Sequence, residues 1–296
     1  MMTDILQIAT PDDFKFRQTV YSHGWCSLAP FALDRDKWIL RRVFDLDGGG
    51  AVAADISEDA DAVSIVLGEA VNETDAAKII RDVRHILRLD ENFAAFYRLT
   101  DAFDEFKWVA ARGAGRLLRS PTVWEDLVKS ICTTNCSWAL TKIMTTNLVE
   151  KLGTATAGGQ KSFPSAARMA EKPESFYRDE IRAGYRAGYF AELSQRVAGG
   201  EIDVESWATT DLPVAELKKE MKRVKGVGDY AADNLLKLVG RYDGLALDSM
   251  LRGDFAKLHN NGERADDKQI CAHYERFGEW RGLVIWLDAT KDYFLD

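Results

Sequence analysis

The sequence predicts an α+β fold in which an antiparallel sheet comes first and helices make up nearly everything that follows. Two stretches rich in β-branched and aromatic residues, Lys37–Leu46 and Ala62–Ala70, are separated by Gly48–Gly50 and an acidic turn near Asp59. This pattern is typical of antiparallel hairpins. From Asn72 onward apolar residues recur at helical spacing, beginning with Ile79, Ile80, Val83, Ile86 and Leu87.

Bulk composition places the chain among ordinary globular proteins. Its 296 residues are 46% hydrophobic and 29% charged, which excludes disordered, collagen-like and coiled-coil classes. We find no apolar run of about 18 residues and no secretory signal pattern at the N-terminus, so we expect no membrane partner and a cytoplasmic location. The four cysteines form no CxxC pair, which is typical of reduced, isolated thiols.

Charge is distributed unevenly along the chain. The formal net charge is −8, and most of it lies in the first 100 residues, so the remainder is nearly neutral and has room for local positive patches. One candidate patch precedes a glycine pair and consists of Lys218, Lys219, Lys222, Arg223 and Lys225. A solvated helix face is the alternative interpretation of such a run.

Further helices are predicted beyond residue 119. Ser120 is a candidate N-cap, Pro121 suits the first helical position, and Glu125 follows in the first turn. A polar loop is predicted over Gly153–Ser165. The aromatic segment Trp280–Phe294 has helical spacing and is predicted to be a core helix that closes the fold.

The most informative segment places a tight hairpin between two helical patterns. The hairpin is Lys225-Gly226-Val227-Gly228, and the helix after it is expected to present free N–H groups. A dinucleotide-binding turn and a P-loop are excluded, because a helix precedes the glycines and no Lys-Ser/Thr pair follows them. The hairpin therefore predicts a site for one backbone phosphate, with a ligand-free helical corner as the alternative.

Two motifs here resemble a known family. The hairpin V-K-G-V-G-D-Y-A-A-D and, further on, L-A-L-D-S-M-L-R are similar to the signature of the helix-hairpin-helix DNA glycosylases. The resemblance continues through Ser120–Trp138 and the terminal aromatic segment, about two thirds of the chain, with bacterial 3-methyladenine DNA glycosylase II and 8-oxoguanine DNA glycosylases as the nearest types. It implies a sheet domain over 1–86, a helical subdomain over 119–238, and a second helical subdomain formed by 87–118 and 239–296.

The resemblance implies one catalytic carboxylate and no covalent amine. Asp248 matches the essential aspartate, which would stabilise positive charge on the sugar as the base departs and would orient or deprotonate the attacking water. The alternative role of Asp248 is to cap the helix that starts at Ser249, and both roles can hold together. Tyr230 stands where bifunctional members carry a lysine, so we predict a monofunctional enzyme that leaves an abasic site.

Three positions align with the base pocket of the alkylpurine enzymes. Tyr230 and Trp286 would offer π faces to an electron-poor base, although core packing is the alternative for both. Asn234 stands where another aromatic residue is usual, which predicts a more polar pocket.

One residue matches the wedge that fills the gap left by an extruded nucleotide. This is Asn135, for which a helix-end asparagine bonded to its own backbone is the alternative. Leu140 replaces the arginine that reads the opposite cytosine in 8-oxoguanine enzymes.

The resemblance thus implies a base-excision repair glycosylase that acts on duplex DNA, with an alkylated purine as the expected lesion. A glycosylase for oxidised, deaminated or mismatched bases is one alternative, and a non-catalytic DNA-binding module is another. No metal site is predicted, since the histidines lack ligand spacing and are assigned no role. The resemblance permits a monovalent cation at the hairpin carbonyls without requiring it. We expect the protein to act as a monomer.

Overall fold

The computed structural model describes residues 2–295 and contains an N-terminal five-stranded antiparallel sheet. The strands lie in the order β1-β5-β4-β3-β2, with each hydrogen-bonded pair antiparallel. Their bounds are β1 Thr3–Ala9, β2 Ala32–Asp34, β3 Ile39–Asp45, β4 Ala51–Asp59 and β5 Ala62–Val71. The glycines predicted to form a turn connect β3 to β4, and the acidic turn connects β4 to β5. The predicted α+β fold class is confirmed.

Alternation of side chains along the sheet explains its packing. On β5, Val63, Ile65 and Leu67 are buried, whereas Ser64 and Val66 between them face the other side. The buried face packs against the first long helix through residues at helical spacing. The helix residues in that hydrophobic cluster are Ala76, Ile79, Val83, Ile86 and Leu87.

Helices follow the sheet in the described part of the chain. The α-helices are α1 Phe16–Val20, α2 Glu73–Leu87, α3 Ala94–Asp101, α4 Lys107–Arg112, α5 Val123–Thr133, α6 Trp138–Leu152, α7 Ala166–Ala170, α8 Glu174–Asp179, α9 Ala187–Ala198, α10 Val214–Lys222, α11 Asp229–Leu238, α12 Ser249–His259, α13 Asp267–Tyr274, α14 Arg281–Ala289 and α15 Lys291–Leu295. Within residues 2–295, no helix combines the length and the apolar character that crossing a membrane requires.

Two sequence-based helix assignments are wrong in detail. Helix α5 begins at Val123 and is capped by Thr122, whose hydroxyl accepts a hydrogen bond from Glu125 N at 3.2 Å. The predicted cap, Ser120, instead donates its backbone N–H to the Asp126 carboxylate at 2.9 Å, which keeps this segment outside the helix. The terminal segment forms two helices, α14 and α15, because the chain leaves the helical conformation near residue 290.

Three hydrophobic clusters account for the core of the described chain. The first joins the sheet to α1 and α2. The second packs α5, α6, α9, α10 and α11 together. The third combines α3 and α4 with the segment from residue 242 to the last helices. The domain boundaries predicted from the sequence stay a prediction.

A buried ion network ties the sheet to α5. Arg42 on β3 and Lys129 on α5 both contact the Glu125 carboxylate, at 2.5 Å and 2.6 Å, and all three side chains are almost fully buried. The Phe31 ring lies 4.4 Å from the Arg42 guanidinium and 4.7 Å from the Lys129 ammonium. This network positions α5, one side of which lines the cavity described below.

Candidate active site

The predicted hairpin joins α10 to α11, with Gly226 at its bend. Gly226 has φ +91°, and a Cβ there would lie 2.8 Å from the Tyr189 ring, so this position requires glycine. Gly228 precedes α11 without a side-chain cap and is exposed. Helix α11 therefore begins beside an exposed residue and without a side-chain cap, and its role as a phosphate site stays a prediction.

The basic residues of α10 and the hairpin are paired with carboxylates, which differs from the positive patch that the sequence suggested. The acidic partners lie on α9, on α10 itself and on α11, so much of the local charge is balanced. The pairs are Lys218–Asp233, Lys219–Glu216, Lys222–Asp229, Arg223–Glu220 and Lys225–Glu192.

The loop between α11 and α12 is held by side chains of α11. Asp233 Oδ2 accepts a hydrogen bond from Ala246 N at 3.3 Å, and Lys237 Nζ donates to the Leu245 carbonyl at 3.2 Å. A Cβ on Gly244 would lie 2.4 Å from Asp233 Oδ1, so glycine permits this close approach. Ala246 itself has φ +53°, an unfavourable conformation that these contacts maintain.

These contacts place Asp248 at the N-cap position of α12. Its Oδ1 accepts a hydrogen bond from Leu251 N at 2.8 Å, so the N-cap expected from the sequence is present. Among the described residues, none donates a hydrogen bond to its second oxygen, Oδ2. The side chain is half-buried, and the cap fixes the direction of the carboxylate.

Asp248 lines a cavity of about 670 Å³ in which the sheet domain and the helical regions meet. This volume lies in the range of small-molecule and cofactor sites. Three more predicted residues line the same cavity, namely Tyr230, Asn234 and Trp286. The sequence therefore predicted four side chains that the fold brings together from α11, α14 and the start of α12.

Aromatic side chains form much of the cavity wall. Burial, with the nearby Asp248 carboxylate, raises the pKa of Tyr230 to about 12, so its hydroxyl is neutral at physiological pH. Trp286 donates its indole N–H to the Ser22 carbonyl at 3.0 Å, and Asn234 donates to the Tyr230 carbonyl at 3.0 Å. Further aromatic lining residues are Tyr21, Trp25, Trp138 and Tyr293.

The predicted wedge and the hairpin lie outside the cavity lining. Asn135 is exposed between α5 and α6 with φ +45°. Its neighbours Thr133 and Cys136 do line the cavity, so Asn135 lies close to the rim. Leu140 is half-buried against the second hydrophobic cluster.

Comparisons with known proteins bear on the fold. Neither a protein-family model nor a curated protein matches the sequence. Solved structures do match over nearly the whole chain. The Clostridium acetobutylicum 8-oxoguanine glycosylase/lyase in its apo form has a TM-score of 0.75 at 18% identity, and each chain is 98% covered. The fold is that of the DNA glycosylases.

Two other structures extend the likeness. The Archaeoglobus fulgidus 3-methyladenine DNA glycosylase has a TM-score of 0.76 at 20% identity and covers 98% of this chain and 99% of its own. The Clostridium acetobutylicum enzyme with double-stranded DNA containing cytosine opposite 8-oxoguanine has a TM-score of 0.71 at 19% identity, covering 99% and 98%. The glycosylase fold therefore includes the N-terminal sheet, beyond the two thirds that the motifs covered.

Sequence reasoning missed two polar residues in the cavity of this glycosylase fold. Lys237 lies two turns after Tyr230 on the same face of α11, and Ser130 lies on α5; both are almost fully buried and both line the cavity. The spacing of Tyr230, Asn234 and Lys237 along one helix could have indicated Lys237. No sequence signal indicated Ser130.

His23, assigned no role from the sequence, also lines the cavity. Burial lowers its pKa to about 4, so the imidazole is neutral at physiological pH. Its Nε2 lies 2.6 Å from the Leu118 carbonyl, which accepts a hydrogen bond and places the proton on Nε2. His23 therefore packs as a neutral wall residue beside Trp25.

Proposed function

We propose that this chain is a DNA glycosylase that hydrolyses the N-glycosidic bond of a damaged base flipped out of duplex DNA. One observation carries the proposal: a carboxylate, Asp248, is fixed at a cavity whose walls are aromatic and whose volume admits a purine. The likeness to DNA glycosylases over 98% of the chain supports it. Base flipping explains why the cavity is needed, since the bond cannot be reached inside a stacked duplex.

Asp248 acts on charge that develops in the sugar. As the bond to the base breaks, the electron pair leaves with the base and the sugar becomes positively charged. The Asp248 carboxylate stabilises that charge, more strongly in a site that excludes water than in solvent. Its Oδ2 can also orient the water that attacks the sugar carbon and can accept its proton.

The reaction is proposed to be hydrolytic, with no covalent intermediate. Tyr230 occupies the position where lyase members of the family carry an amine, and its raised pKa keeps it a neutral phenol. Water is then the nucleophile, and an abasic site remains. Borohydride should trap no covalent adduct between wild-type protein and lesion DNA, whereas a trapped adduct would contradict this part of the proposal.

An alkylated purine is the proposed lesion. The π faces of Tyr230 and Trp286 suit an electron-poor ring, and a structurally similar protein is a 3-methyladenine glycosylase. The second candidate is an oxidised or deaminated base. The polar groups of Asn234, Ser130 and Lys237 in the cavity favour this alternative, because such bases differ from normal ones in their hydrogen-bonding edges.

Duplex DNA is the proposed partner, and the hairpin from Lys225 to Gly228 is proposed to bind one of its backbone phosphates. The free N–H groups at the start of α11 suit a phosphate oxygen. Because Lys225 and Lys222 are already paired with acidic side chains, we expect few released counterions and a shallow decrease of affinity with salt. A non-catalytic DNA-binding module would share this binding but would not need Asp248.

The decisive experiment measures base release from duplexes that carry alkylated purines, hypoxanthine, uracil or 8-oxoguanine. We expect wild-type protein to release a base and Asp248→Asn to lose at least about 100-fold in rate. Asparagine also caps helices well, so folding should be preserved and can be checked by thermal unfolding. The matched control is Asp254→Asn, which removes a carboxylate of α12 that pairs with Lys257. Equal rates for Asp248→Asn and wild type would refute the proposal.

A further inference from the structure

The cavity contains two buried hydrogen-bond donors whose capacity is not used by the chain. Ser130 Oγ is buried and has no hydrogen-bond partner among residues 2–295. Lys237 Nζ carries three N–H donors in its charged form. One of them goes to the Leu245 carbonyl, and the described structure provides no second acceptor for the ammonium.

Unpaired donors at such depth are costly. Buried polar groups in native proteins are nearly always hydrogen-bonded, so an unpaired donor in a cavity wall calls for a partner from outside the chain. Burial also lowers the pKa of Lys237 to about 8, while Asp233 and Asp248 oppose that effect and Lys218 adds to it. The amine is therefore mainly protonated at neutral pH and is held in a position unfavourable for its charge.

Burial orders the cavity from mouth to inner end. Met250 and Tyr293 are exposed at the mouth, and Asp248 is half-buried. Ser130 and Lys237 line the same cavity and are exposed by only 1% and 3%, so they are less accessible to solvent than Asp248. A flipped nucleotide that places its sugar beside Asp248 must extend its base inward. The purine edge furthest from the sugar, which carries the substituent at C6, then meets the two donors.

We propose that Ser130 and Lys237 form a donor pair that selects damaged purines with a carbonyl oxygen at C6 over those with an amino group there. This inference rests on the proposed glycosylase function and narrows its substrate class. A C6 carbonyl accepts hydrogen bonds from both side chains. A C6 amino group would point its own N–H groups at the Lys237 ammonium and leave the Lys237 donors unpaired. Hypoxanthine and 7-methylguanine belong to the favoured class, and 3-methyladenine does not.

The same pair assists departure of a neutral base. When the bond between the sugar carbon and N9 breaks, its electron pair enters the purine ring and is shared with the oxygen at C6. The Lys237 ammonium stabilises that negative charge as it develops. Water supplies the oxygen that bonds to the sugar carbon, Asp248 or solvent takes the water proton, and the released base takes a proton from solvent.

The test compares 7-methylguanine with 3-methyladenine in the same methylated duplex, and hypoxanthine with 8-oxoadenine in defined duplexes. We expect wild-type protein to release the bases with a C6 carbonyl at least about 10-fold faster. Lys237→Met should reduce their release at least about 10-fold more than that of the other two bases, because loss of the Leu245 contact acts on all four bases alike. Ser130→Ala should act in the same direction with a smaller effect, and Lys237→Gln, which keeps a donor, should restore part of the rate.

Two results would overturn the inference. One is a wild-type preference for 3-methyladenine and 8-oxoadenine, the two bases with a C6 amino group. The other is an equal loss on all four bases in Lys237→Met, which would assign Lys237 only to holding the loop at Leu245. If Lys237→Met does not fold, Ser130→Ala and Lys237→Gln carry the same comparison.

A binding measurement separates this inference from the proposed function. Duplexes with 2′-fluoroarabino-hypoxanthine or 2′-fluoroarabino-adenine resist cleavage and differ only at the C6 edge. Tighter binding of the hypoxanthine duplex by wild type, lost in Lys237→Met, would support the inference even if no base were released and the proposed function failed. Equal binding of the two duplexes would overturn the inference even if base release were observed.

Discussion

Two buried lysines of this chain differ in how their charge is paired. The fold pairs the Lys129 ammonium fully, whereas the Lys237 ammonium keeps unused hydrogen-bond donors. Lys129 contacts Glu125 at 2.6 Å, lies 3.4 Å from Ser120 Oγ and faces the Phe31 ring. Lys237 has a single carbonyl partner in the described chain and lines a cavity. Burial lowers the pKa of both lysines, but the Glu125 carboxylate opposes the shift directly only at Lys129.

The two lysines differ in whether the fold itself supplies all the hydrogen-bond and ion-pair partners of the ammonium. At Lys129 the fold itself supplies a carboxylate, a hydroxyl and an aromatic face, so the charge is satisfied before any ligand arrives. Lys237 has unused donors and lines a cavity. Adjacent residues of α5 show the same contrast, since Lys129 turns to the sheet while Ser130 turns to the cavity. The Lys129 network should therefore stabilise the fold, and the Lys237 pair should serve a ligand.

The largest effect on stability is expected from Glu125→Gln. This change leaves Arg42 and Lys129 buried without their carboxylate, so the free energy of unfolding should fall by about 3–5 kcal/mol. Chemical denaturation at neutral pH measures it. Base release per folded molecule should stay close to the wild-type value, because Glu125 does not line the active-site cavity.

The stability difference between wild type and Glu125→Gln should also depend on pH. Burial alone would raise the pKa of Glu125, but Arg42 and Lys129 lower it to about 2 from 4.5. A lowered carboxylate pKa gives stability that is present above pH 4.5 and is lost as pH falls toward 2. The gap between wild type and Glu125→Gln should narrow over that interval. A gap below about 1 kcal/mol at neutral pH would show that the network is not structural.

Lys237 should also make stability rise with pH, but in the alkaline range and because its charged form is unfavourable in the folded state. Its pKa is lowered to about 8 from 10.5, so above pH 8 the folded state holds fewer protons than the unfolded state. Stability attributable to Lys237 should therefore rise with pH, by about 2 kcal/mol between roughly pH 7 and pH 10. The measurement is the difference in unfolding free energy between wild type and Lys237→Met at the two pH values, which cancels other titrating groups. A constant difference would mean that Lys237 is not a strained charge.

The sequence predicted the parts of this site that depend on local pattern. The hairpin at Gly226 requires a left-handed backbone with close packing against Tyr189, and such requirements leave glycines at fixed spacing. The cap at Asp248 is likewise a local feature that precedes an obvious helix. The sheet followed from two stretches rich in β-branched and aromatic residues with turn signals between them, and the fold class followed from the position of these stretches ahead of the helices.

The rest depends on which distant segments meet. Ser130 and Lys237 lie more than 100 residues apart, and nothing in either neighbourhood tells that both reach one cavity. The cationic cluster before the hairpin was misjudged for the same reason. Its charge is balanced by Glu192 on α9 and by Asp229 and Asp233 on α11, and a count along the sequence does not reveal such pairs.

A smaller effect is expected from Lys237→Met on stability at neutral pH. Removing a buried, strained charge is favourable, while leaving the Leu245 carbonyl without its donor is unfavourable by a similar amount. We expect the free energy of unfolding to stay within about 1 kcal/mol of wild type. The companion variant Lys129→Met should lose several times more, because it leaves Glu125 short of a partner. Similar losses in both variants would remove the distinction between the two lysines.

The smallest effect on stability is expected from Ser130→Ala. The Ser130 hydroxyl has no partner in the described chain, so its removal breaks no hydrogen bond and relieves an unpaired buried group. Alanine also suits a helix slightly better than serine does. The free energy of unfolding should therefore rise by up to about 1 kcal/mol. The control is Thr141→Ala, since the Thr141 hydroxyl lines the same cavity but donates to the Cys132 carbonyl at 3.1 Å. That variant should lose stability, and a loss of equal size in Ser130→Ala would show that Ser130 has a structural partner and is not held for a ligand.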